Sequence, residues 1–206
     1  MGEWLQSDGA SALVDYIQTM NEHIKGKALS VSTVISPVCV HHVVLSQLFL
    51  SSLQVVQKIL IVFERLSAWI DEIPPETQSQ RYGNKSFRTW FAKVKEVRRD
   101  SVAPSKVFFL FATQNTTAIM LEILPEHLHR TAVELAVYFL GAWGNETRID
   151  YGTGHEMSFV AWMCCLELVG AVDEQDRVAM VFKVFNGYAI PKSKKKKKRK
   201  KNYVCC

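Results

Sequence analysis

Apolar residues that recur every three or four positions are the feature that most constrains the fold of this chain. The clearest case lies between Val55 and Asp71, where one face of an amphipathic helix would carry Val55, Ile59, Phe63, Leu66 and Ile70. Similar spacing predicts five more helices, at residues 11–23, 86–99, about 125–141, 155–168 and 173–186. Because no alternation of strand type lasts beyond a few residues, the sequence predicts an all-α fold with many helices.

Glycine and proline mark where these helices begin and end. Gly26 follows the first helix, and Pro74 and Pro75 stop the second, because proline lacks the backbone donor that a helix needs. Pro125 suits the first turn of a helix. An apolar run at residues 107–113 fits a strand or a buried helix equally well. The residues expected to face inward are Leu13, Tyr16, Ile17 and Met20 in the first helix, and Phe87, Trp90, Phe91, Val94 and Val97 in the third.

Positive charge is concentrated near the C-terminus. Of the 25 Lys and Arg residues, nine fall in residues 192–201, which contain no acid. The rest of the chain holds 16 basic and 20 acidic residues, a net charge of −4. A nucleic-acid-binding domain would carry basic residues on its folded surface, so we predict no nucleic-acid partner. Four interpretations of the basic segment remain open: a nuclear import signal, an electrostatic membrane tether, a prenylated end at Cys205 and Cys206, or a product of readthrough.

An uncharged segment at residues 28–57 raises the question of a membrane span. Pro37, His41, Gln47 and many serines interrupt it, so we expect a buried or irregular insertion and no membrane partner. The N-terminus lacks the basic start and apolar run of a secretory signal, and the five cysteines form no C-x-x-C pair. We therefore expect a reducing compartment, with a cytoplasmic or nuclear location.

The segment at residues 144–156 contains the most informative cluster of functional residue types. Thr153 and Glu156 have the Thr-x-x-Glu spacing of a capping box, in which the threonine caps a helix and the glutamate reaches back to its amide. The start of that helix would present free N–H groups, and Arg148 would add a forked donor. A glycine on either side of Thr153 lets the backbone approach a ligand closely. Two interpretations remain open: a phosphate site, or an ordinary capped helix after a glycine turn.

Asp150, His155 and Glu156 raise the possibility of acid–base or metal chemistry. One histidine beside two carboxylates is equally typical of groups that form hydrogen bonds for structural reasons. Both interpretations remain open. The chain shows no spacing of a metal framework, so no metal ligand is predicted.

A second dense stretch of chemically informative residues lies at residues 81–90. Gly83 and Asn84 are typical of a turn. The aromatic residues that follow are expected in a helix core. Tyr82 and Arg88 are expected to turn outward, toward a partner.

Together these segments resemble the phosphotyrosyl phosphatase activator family. The resemblance is carried by residues 69–75, by residues 81–90 and above all by Arg148-Ile149-Asp150-Tyr151-Gly152-Thr153-Gly154-His155-Glu156, which is close to a family signature. It continues through Cys165-Leu166 and residues 181–186. It covers most of residues 1–31, 55–97 and 120–186.

The resemblance implies an activator of protein phosphatase 2A that is also assigned peptidyl-prolyl cis-trans isomerase activity. It implies an all-α fold in which a core, a linker and a lid surround a deep cleft for ATP and Mg²⁺. The implied partners are the phosphatase catalytic subunit, its core complex and a proline-containing peptide. By the same resemblance, the nucleotide contacts are Arg148, Thr153 and Gly154. The cleft residues that face the phosphatase or the peptide, and act in isomerisation, are Asp150, Tyr151 and His155.

The chain also departs from the family pattern. Residues 33–54 and 98–117 have no counterpart and are interpreted as insertions, the first of which would split a helix. A later family portion, which contains a Trp-Gly-Leu-Asp-Asp segment and supplies acidic metal-side ligands, does not follow Gly187. We therefore expect an incomplete helical domain at residues 1–186 and a disordered tail at residues 187–206. The competing hypothesis is a truncated, non-catalytic fragment that binds partners without activating them.

Overall fold

The computed structural model describes residues 6–28, 47–77, 83–95 and 115–189, and it confirms the all-α prediction. Within these ranges the chain forms helices and no strand, and none of the helices has both the length and the apolar character needed to cross a bilayer. The elements are α1 (Asp8–Ile24), α2 (Gln47–Glu72), α3 (Ser86–Lys95), α4 (Asn115–Ile123), a 3-10 helix (Glu126–Thr131), α5 (Ala132–Gly141), α6 (Thr153–Leu168), a second 3-10 helix (Glu174–Asp176), α7 (Arg177–Ala179), a π-helical stretch (Met180–Phe185) and α8 (Asn186–Ala189).

Some predictions cannot be followed to their outcome in the structure. The apolar run at 107–113, the side chain of Val97, and most of the two proposed insertions lie outside the described residues.

Helix α1 begins at a side-chain cap. The Oγ atom of Ser7 accepts a hydrogen bond from the amide of Ala10 at 3.2 Å. Gly26, with a φ of +73°, follows the helix as predicted. The prediction for Ile17 is wrong: its side chain is 39% exposed, because it lies at the edge of the apolar stripe, where neighbouring helices decide whether a side chain is covered. The other predicted inward residues are buried: Leu13, Tyr16 and Met20.

Helix α2 confirms the strongest periodicity in the sequence. Four of the five predicted inward residues are buried, and Ile70 is partly buried against the same core. The helix begins at Gln47, eight residues before the predicted start. Residues 47–54, which the sequence analysis assigns to an insertion, are therefore continuous with α2. The helix ends at Glu72, two residues before Pro74.

Helix α3 is tied to the end of α2 by polar side chains. The Oδ1 atom of Asn84 accepts from the amides of Glu76 (3.1 Å) and Ser86 (3.0 Å). The Oγ atom of Ser86 donates to the carbonyl of Pro74 at 2.8 Å. These bonds confirm the turn before α3. Its described inward residues pack in the core as predicted: Phe87, Trp90, Phe91 and Val94.

The predicted helix at 125–141 is divided into two parts. Pro125 precedes a 3-10 helix, and the α-helical part begins at Ala132. The division follows from local bonding, because the amide of Leu128 bonds to the carbonyl of Pro125, a step of three residues and not four.

The predicted helix at 173–186 is also divided, and it extends to Ala189. Asp173 and Asp176 form a reciprocal cap at its start, with the amide of Asp173 bonded to Oδ2 of Asp176 at 3.2 Å. Residues 187–189, which the sequence analysis assigns to the tail, continue the helix. Tyr188 is 1% exposed, and its ring stacks on that of Phe159 with 3.9 Å between centroids. The described helical structure therefore includes these residues.

Aromatic side chains from several elements meet around Trp143, directly after α5. Its ring forms edge-on contacts, with centroids 5.1 to 5.9 Å apart, to Phe63, Trp90, Phe139 and Tyr188. Such contacts contribute beyond the burial of apolar area. Because Trp143 immediately precedes residues 144–156, this cluster anchors the predicted functional segment to the core.

Candidate functional site

The predicted site begins with a tight turn at residues 145–150, here named the 145–150 turn. The Oδ1 atom of Asn145 accepts from the amides of Thr147 (3.0 Å) and Arg148 (2.9 Å). The amide of Asn145 donates to the carbonyl of Asp150 at 3.1 Å and closes the turn. Sequence reasoning did not assign Asn145 this role, although a Gly-Asn dipeptide is typical of turns.

Two residues of this region have left-handed backbone conformations. Gly144 has a φ of +115°, and a Cβ atom there would lie 2.9 Å from the carbonyl oxygen of Asp150. Ile149 has a φ of +53°, which is a strained conformation for a β-branched residue. Ile149 lies against Gly83. A Cβ atom added to Gly83 would lie 2.5 Å from the side chain of Ile149 and 2.5 Å from its carbonyl oxygen. The strain persists because the surroundings hold the turn from two sides.

Gly83 lies on one side of the 145–150 turn, and helix α3 holds the turn from the other side. Arg88 donates from Nε to the carbonyl of Glu146 (2.9 Å) and from Nη2 to the carbonyl of Thr147 (3.0 Å). Lys95 binds the Glu146 carboxylate at 2.8 Å. Arg88 is exposed, as predicted, but its guanidinium is bound within the chain, because two adjacent carbonyls match its fork of donors. Its contact with a partner stays a prediction. Tyr82 lies outside the described residues.

Arg148 and Asp150 form an exposed ion pair beside His155. The Nε atom of Arg148 donates to Oδ2 of Asp150 at 2.6 Å, and Nε2 of His155 lies 3.8 Å from Oδ1. The hydrogen bond from Arg148 lowers the pKa of the Asp150 carboxyl, against an opposing effect of desolvation. Asp150 is therefore a carboxylate across the neutral pH range.

His155 connects the end of α5 to the start of α6. Its Nδ1 atom donates to the carbonyl of Gly141 at 2.6 Å, since a carbonyl can only accept. In the neutral ring Nε2 therefore carries no proton. The Oδ1 atom of Asp150 is buried and has no hydrogen-bond partner among the described residues. It faces Nε2 of His155 at 3.8 Å, which is longer than a hydrogen bond.

Tyr151 is held by aromatic and hydroxyl contacts. Its ring stacks on His155 with 5.7 Å between centroids, and its hydroxyl lies 2.7 Å from that of Tyr188. The Tyr188 hydroxyl donates to the carbonyl of Ala142, so it accepts from Tyr151. Burial raises the pKa of Tyr188 and keeps it neutral. Sequence reasoning missed Tyr188, although its spacing of three from Phe185 continues the apolar pattern.

Helix α6 begins at Thr153, but the capping-box prediction is wrong. The N-cap residue is Gly152, and no side chain caps the helix. Because the Gly152 carbonyl already accepts from the amides of His155 (2.9 Å) and Glu156 (3.4 Å), Thr153 lies inside the helix. Glu156 is then one position too late to reach back. Its Oε1 atom instead lies 3.4 Å from the hydroxyl of Tyr151.

The first turn of α6 is open to solvent. Thr153 and Gly154 are exposed, and their amides have no acceptor within the described ranges. A Cβ atom on Gly154 would meet nothing within 4 Å. The side chain of Arg148 is 65% exposed, and its terminal amino groups form no hydrogen bond in the described part of the chain. Four of the six predicted residues therefore contact one another: Arg148, Asp150, Tyr151 and His155. The other two, Thr153 and Gly154, form the exposed start of α6 beside them.

A pocket of about 260 Å³ lies elsewhere, between α1, α6 and α7. Its walls include Tyr16, Glu167 and Arg177, and it contains none of the predicted site residues. Arg177 donates to Glu167 at 2.6 Å. No group of three side chains suited to a metal ion occurs in the parts of the chain that the structure describes.

Comparison with known proteins relates the sequence and the helical fold of this chain to a class of proteins named as phosphatase activators. The profile of the family described as "Phosphotyrosyl phosphate activator (PTPA) protein" matches residues 1–190. The probable serine/threonine-protein phosphatase 2A activator 1 of Dictyostelium discoideum is 32% identical over 186 residues, which are 90% of this chain and 46% of that protein. The serine/threonine-protein phosphatase 2A activator of Drosophila melanogaster is 30% identical over 188 residues, which are 91% of this chain and 38% of that protein.

A solved structure has the same helical arrangement. The crystal structure of the PP2A phosphatase activator Ypa1 PTPA1 aligns with a TM-score of 0.58 and 27% identity, and the alignment covers 89% of this chain and 47% of that one. The chain belongs to the PTPA family, as the resemblance of its motifs predicts. It spans less than half the length of each of these relatives.

Proposed function

We propose that this chain acts as an activator of serine/threonine protein phosphatase 2A and binds its catalytic subunit and core complex. Family membership and the names of the relatives support the proposal. The observation that carries it is the exposed start of α6 beside the Arg148–Asp150 pair, on a turn that the core holds in place. Exposed polar groups on a loop fixed by a rigid scaffold are typical of a binding surface.

We propose ATP as a ligand of this surface. The amides of Thr153 and Gly154 lie at the positive end of the α6 dipole, where a phosphate group fits. The terminal amino groups of Arg148 can bind phosphate oxygens in a forked geometry. The Asp150 carboxylate partly offsets this attraction. ATP bound there would supply negative charge and phosphate oxygens, and these residues would hold it.

Mg²⁺ fits the site as an ion bound together with ATP. Magnesium prefers oxygen ligands, keeps several waters and is usually shared with phosphate oxygens. The described residues contain no group of three potential protein ligands. We therefore expect any effect of Mg²⁺ to depend on ATP.

We further propose that Asp150, Tyr151 and His155 contact a proline-containing peptide and favour isomerisation of its X–Pro bond. The reaction needs no nucleophile, only a surface that binds the twisted amide more tightly than the planar one, and the uncatalysed barrier is about 18–20 kcal/mol. The Asp150 side chain is 48% exposed, and its Oδ2 atom, which already accepts from Arg148, has a further lone pair that can accept a peptide N–H. The ring of Tyr151, fixed against His155, offers an aromatic face to proline.

Phosphatase activation tests the proposed function directly. The chain is mixed with inactive phosphatase 2A catalytic subunit or core complex, with and without Mg²⁺ and ATP, and phosphatase activity is followed. We expect activation that falls in Arg148→Gln and is retained in Arg130→Gln, which removes an equal charge from an exposed position. Co-precipitation without activation would contradict the proposal and support the non-catalytic fragment.

A separate assay tests the isomerase activity. Isomerisation of a proline-containing peptide is followed with the chain and with Asp150→Asn. We expect faster isomerisation with the unmodified chain and a loss of this effect in the variant. An uncatalysed rate with both proteins would exclude isomerase activity and leave phosphatase activation as a separate question.

A further inference from the structure

The 145–150 turn has a conformation that its own sequence does not favour. Ile149, a β-branched residue, has a φ of +53°, and L-residues of this shape rarely adopt that region. The hydrogen bonds that Asn145 makes within the turn pair its polar groups but do not remove this strain. A strained residue persists where its surroundings over-determine the conformation. The groups that act on the turn from outside are therefore part of the site.

Arg88 is the outside group with the most specific geometry. Its Nε and Nη2 atoms donate to two successive carbonyls, those of Glu146 at 2.9 Å and Thr147 at 3.0 Å. Both carbonyls immediately precede Arg148. A planar guanidinium fixes the relative direction of two acceptors, which a single ammonium group cannot do.

The position of Arg88 is itself fixed by the fold. Helix α3 packs in the core, and its start is tied to the end of α2 through Asn84 and Ser86. The same tie places Gly83 against Ile149. The turn is thus held between Gly83 on one side and Arg88 on the other, and both belong to one anchored segment.

We propose that Arg88 is a positioning residue of the candidate site: through the carbonyls of Glu146 and Thr147 it holds the 145–150 turn in the conformation that presents Arg148 and Asp150 beside the first turn of α6. Arg88 has no hydrogen bond to either side chain among the described residues. Its effect is therefore transmitted through the backbone. The proposal deepens the proposed function and rests on it for its biological meaning, but its physical content can be measured without nucleotide or phosphatase.

Four variants test the proposal. Arg88→Gln removes the guanidinium that donates to both carbonyls. Arg88→Lys keeps the positive charge but replaces the two donor atoms by a single ammonium group. Gly83→Ala displaces Ile149 from the opposite side, because the added Cβ atom would lie 2.5 Å from it. Arg130→Gln is the matched control, since Arg130 is exposed and has no hydrogen bond or ion pair among the described residues.

Two readouts in solution report on the turn. The amides of Arg148 and Ile149, which bond within the turn, are followed by hydrogen exchange, and the Asp150 carboxyl is titrated by carbon NMR. In Arg88→Gln we expect exchange to rise roughly tenfold, as for the loss of one or two hydrogen bonds, and the Asp150 titration to move toward its ordinary range. Gly83→Ala should change both the exchange rate and the Asp150 titration in the same direction. Arg88→Lys should give values between those of Arg88→Gln and the unmodified chain, and Arg130→Gln should give the values of the unmodified chain.

Unchanged exchange and an unchanged Asp150 titration in both Arg88→Gln and Gly83→Ala would overturn the positioning role. An equal change in Arg130→Gln would overturn it as well, because it would reveal a general effect of charge. Phosphatase activation is measured on the same four variants. If the unmodified chain fails to activate, the proposed function falls while the two NMR readouts still decide the role of Arg88.

Discussion

The imidazole of His155 donates from Nδ1 to the carbonyl of Gly141 at 2.6 Å, and this bond joins the end of α5 to the first turn of α6. It fixes the ring so that Nε2 faces the carboxylate of Asp150 at 3.8 Å. One side chain thus has two functions: it connects two helices and it orients the polar group of the candidate site. The same residue therefore contributes to stability and to the proposed chemistry.

Replacing His155 by alanine should lower the free energy of unfolding by about 1–3 kcal/mol, since it leaves the Gly141 carbonyl without its donor. Urea denaturation gives the value. The matched control is His127→Ala, because His127 is exposed and forms no hydrogen bond among the described residues. The control should stay within about 0.5 kcal/mol of the unmodified chain. Equal effects of the two substitutions would show that the bond to Gly141 contributes nothing.

The Arg148–Asp150 pair should make stability depend on pH in the acid range. The pKa of Asp150 is lower in the folded chain than in the unfolded one, because Arg148 donates a hydrogen bond to its charged form. Its contribution is therefore complete above the ordinary pKa of 3.8 and disappears as the pH falls through the lowered folded value.

Denaturation of the unmodified chain and of Asp150→Asn across this range checks the sign. We expect the unmodified chain to be more stable near neutral pH and the difference to vanish at the most acid values. A difference that grows on acidification would mean that the folded pKa is raised, which contradicts the geometry of the pair.

Two isoleucines of α2 provide a test of the core. Ile59 is fully buried. Ile61, two residues further along and on the opposite face of the same helix, is 57% exposed. Ile59→Ala should cost about 2–5 kcal/mol, because it leaves a cavity among packed side chains. Ile61→Ala should change stability by no more than about 0.5 kcal/mol. Thermal denaturation of both variants gives the comparison, and similar losses would mean that α2 packs by a different face.

Arg177 contacts residues of three other elements. It binds Glu167 on α6 at 2.6 Å and also contacts His23 and Glu174. Its side chain is 18% exposed, so the loss on replacement is smaller than for a fully buried pair. Arg177→Gln should cost about 1–3 kcal/mol, mainly from the unpaired Glu167 carboxylate. Chemical denaturation measures the free energy of unfolding of this variant and of Arg130→Gln, which serves as the charge control. Equal losses in the two variants would rule out a structural role for the Arg177–Glu167 pair.

The helical core could be predicted from the sequence because burial follows the helical period. The described inward residues of α2 and α3 agree with the prediction, since strongly apolar residues at steps of three or four leave one arrangement that buries them. Ile17 failed because an apolar residue at the edge of a stripe can be buried or exposed, and only the neighbouring helices decide which.

The sequence could indicate which residues to group in the candidate site, but it could not predict the contacts between them. The glycines around Thr153 indicated an open helix start, and the structure has one. The capping box failed because the helix begins one residue earlier than the Thr-x-x-Glu spacing requires. The bonds of Arg88 to Glu146 and of Tyr151 to Tyr188 join residues 58 and 37 positions apart. Local sequence patterns contain no information about such distant pairs.

An NMR titration with ATP and Mg²⁺ determines whether the first turn of α6 and Arg148 together form an anion site. We expect the amide signals of Thr153 and Gly154 to shift together with the guanidinium signal of Arg148. Arg148→Gln should weaken the interaction by about tenfold, as for the loss of a charged hydrogen bond. Shifts confined to residues outside 148–156, or no shift at all, would contradict this expectation.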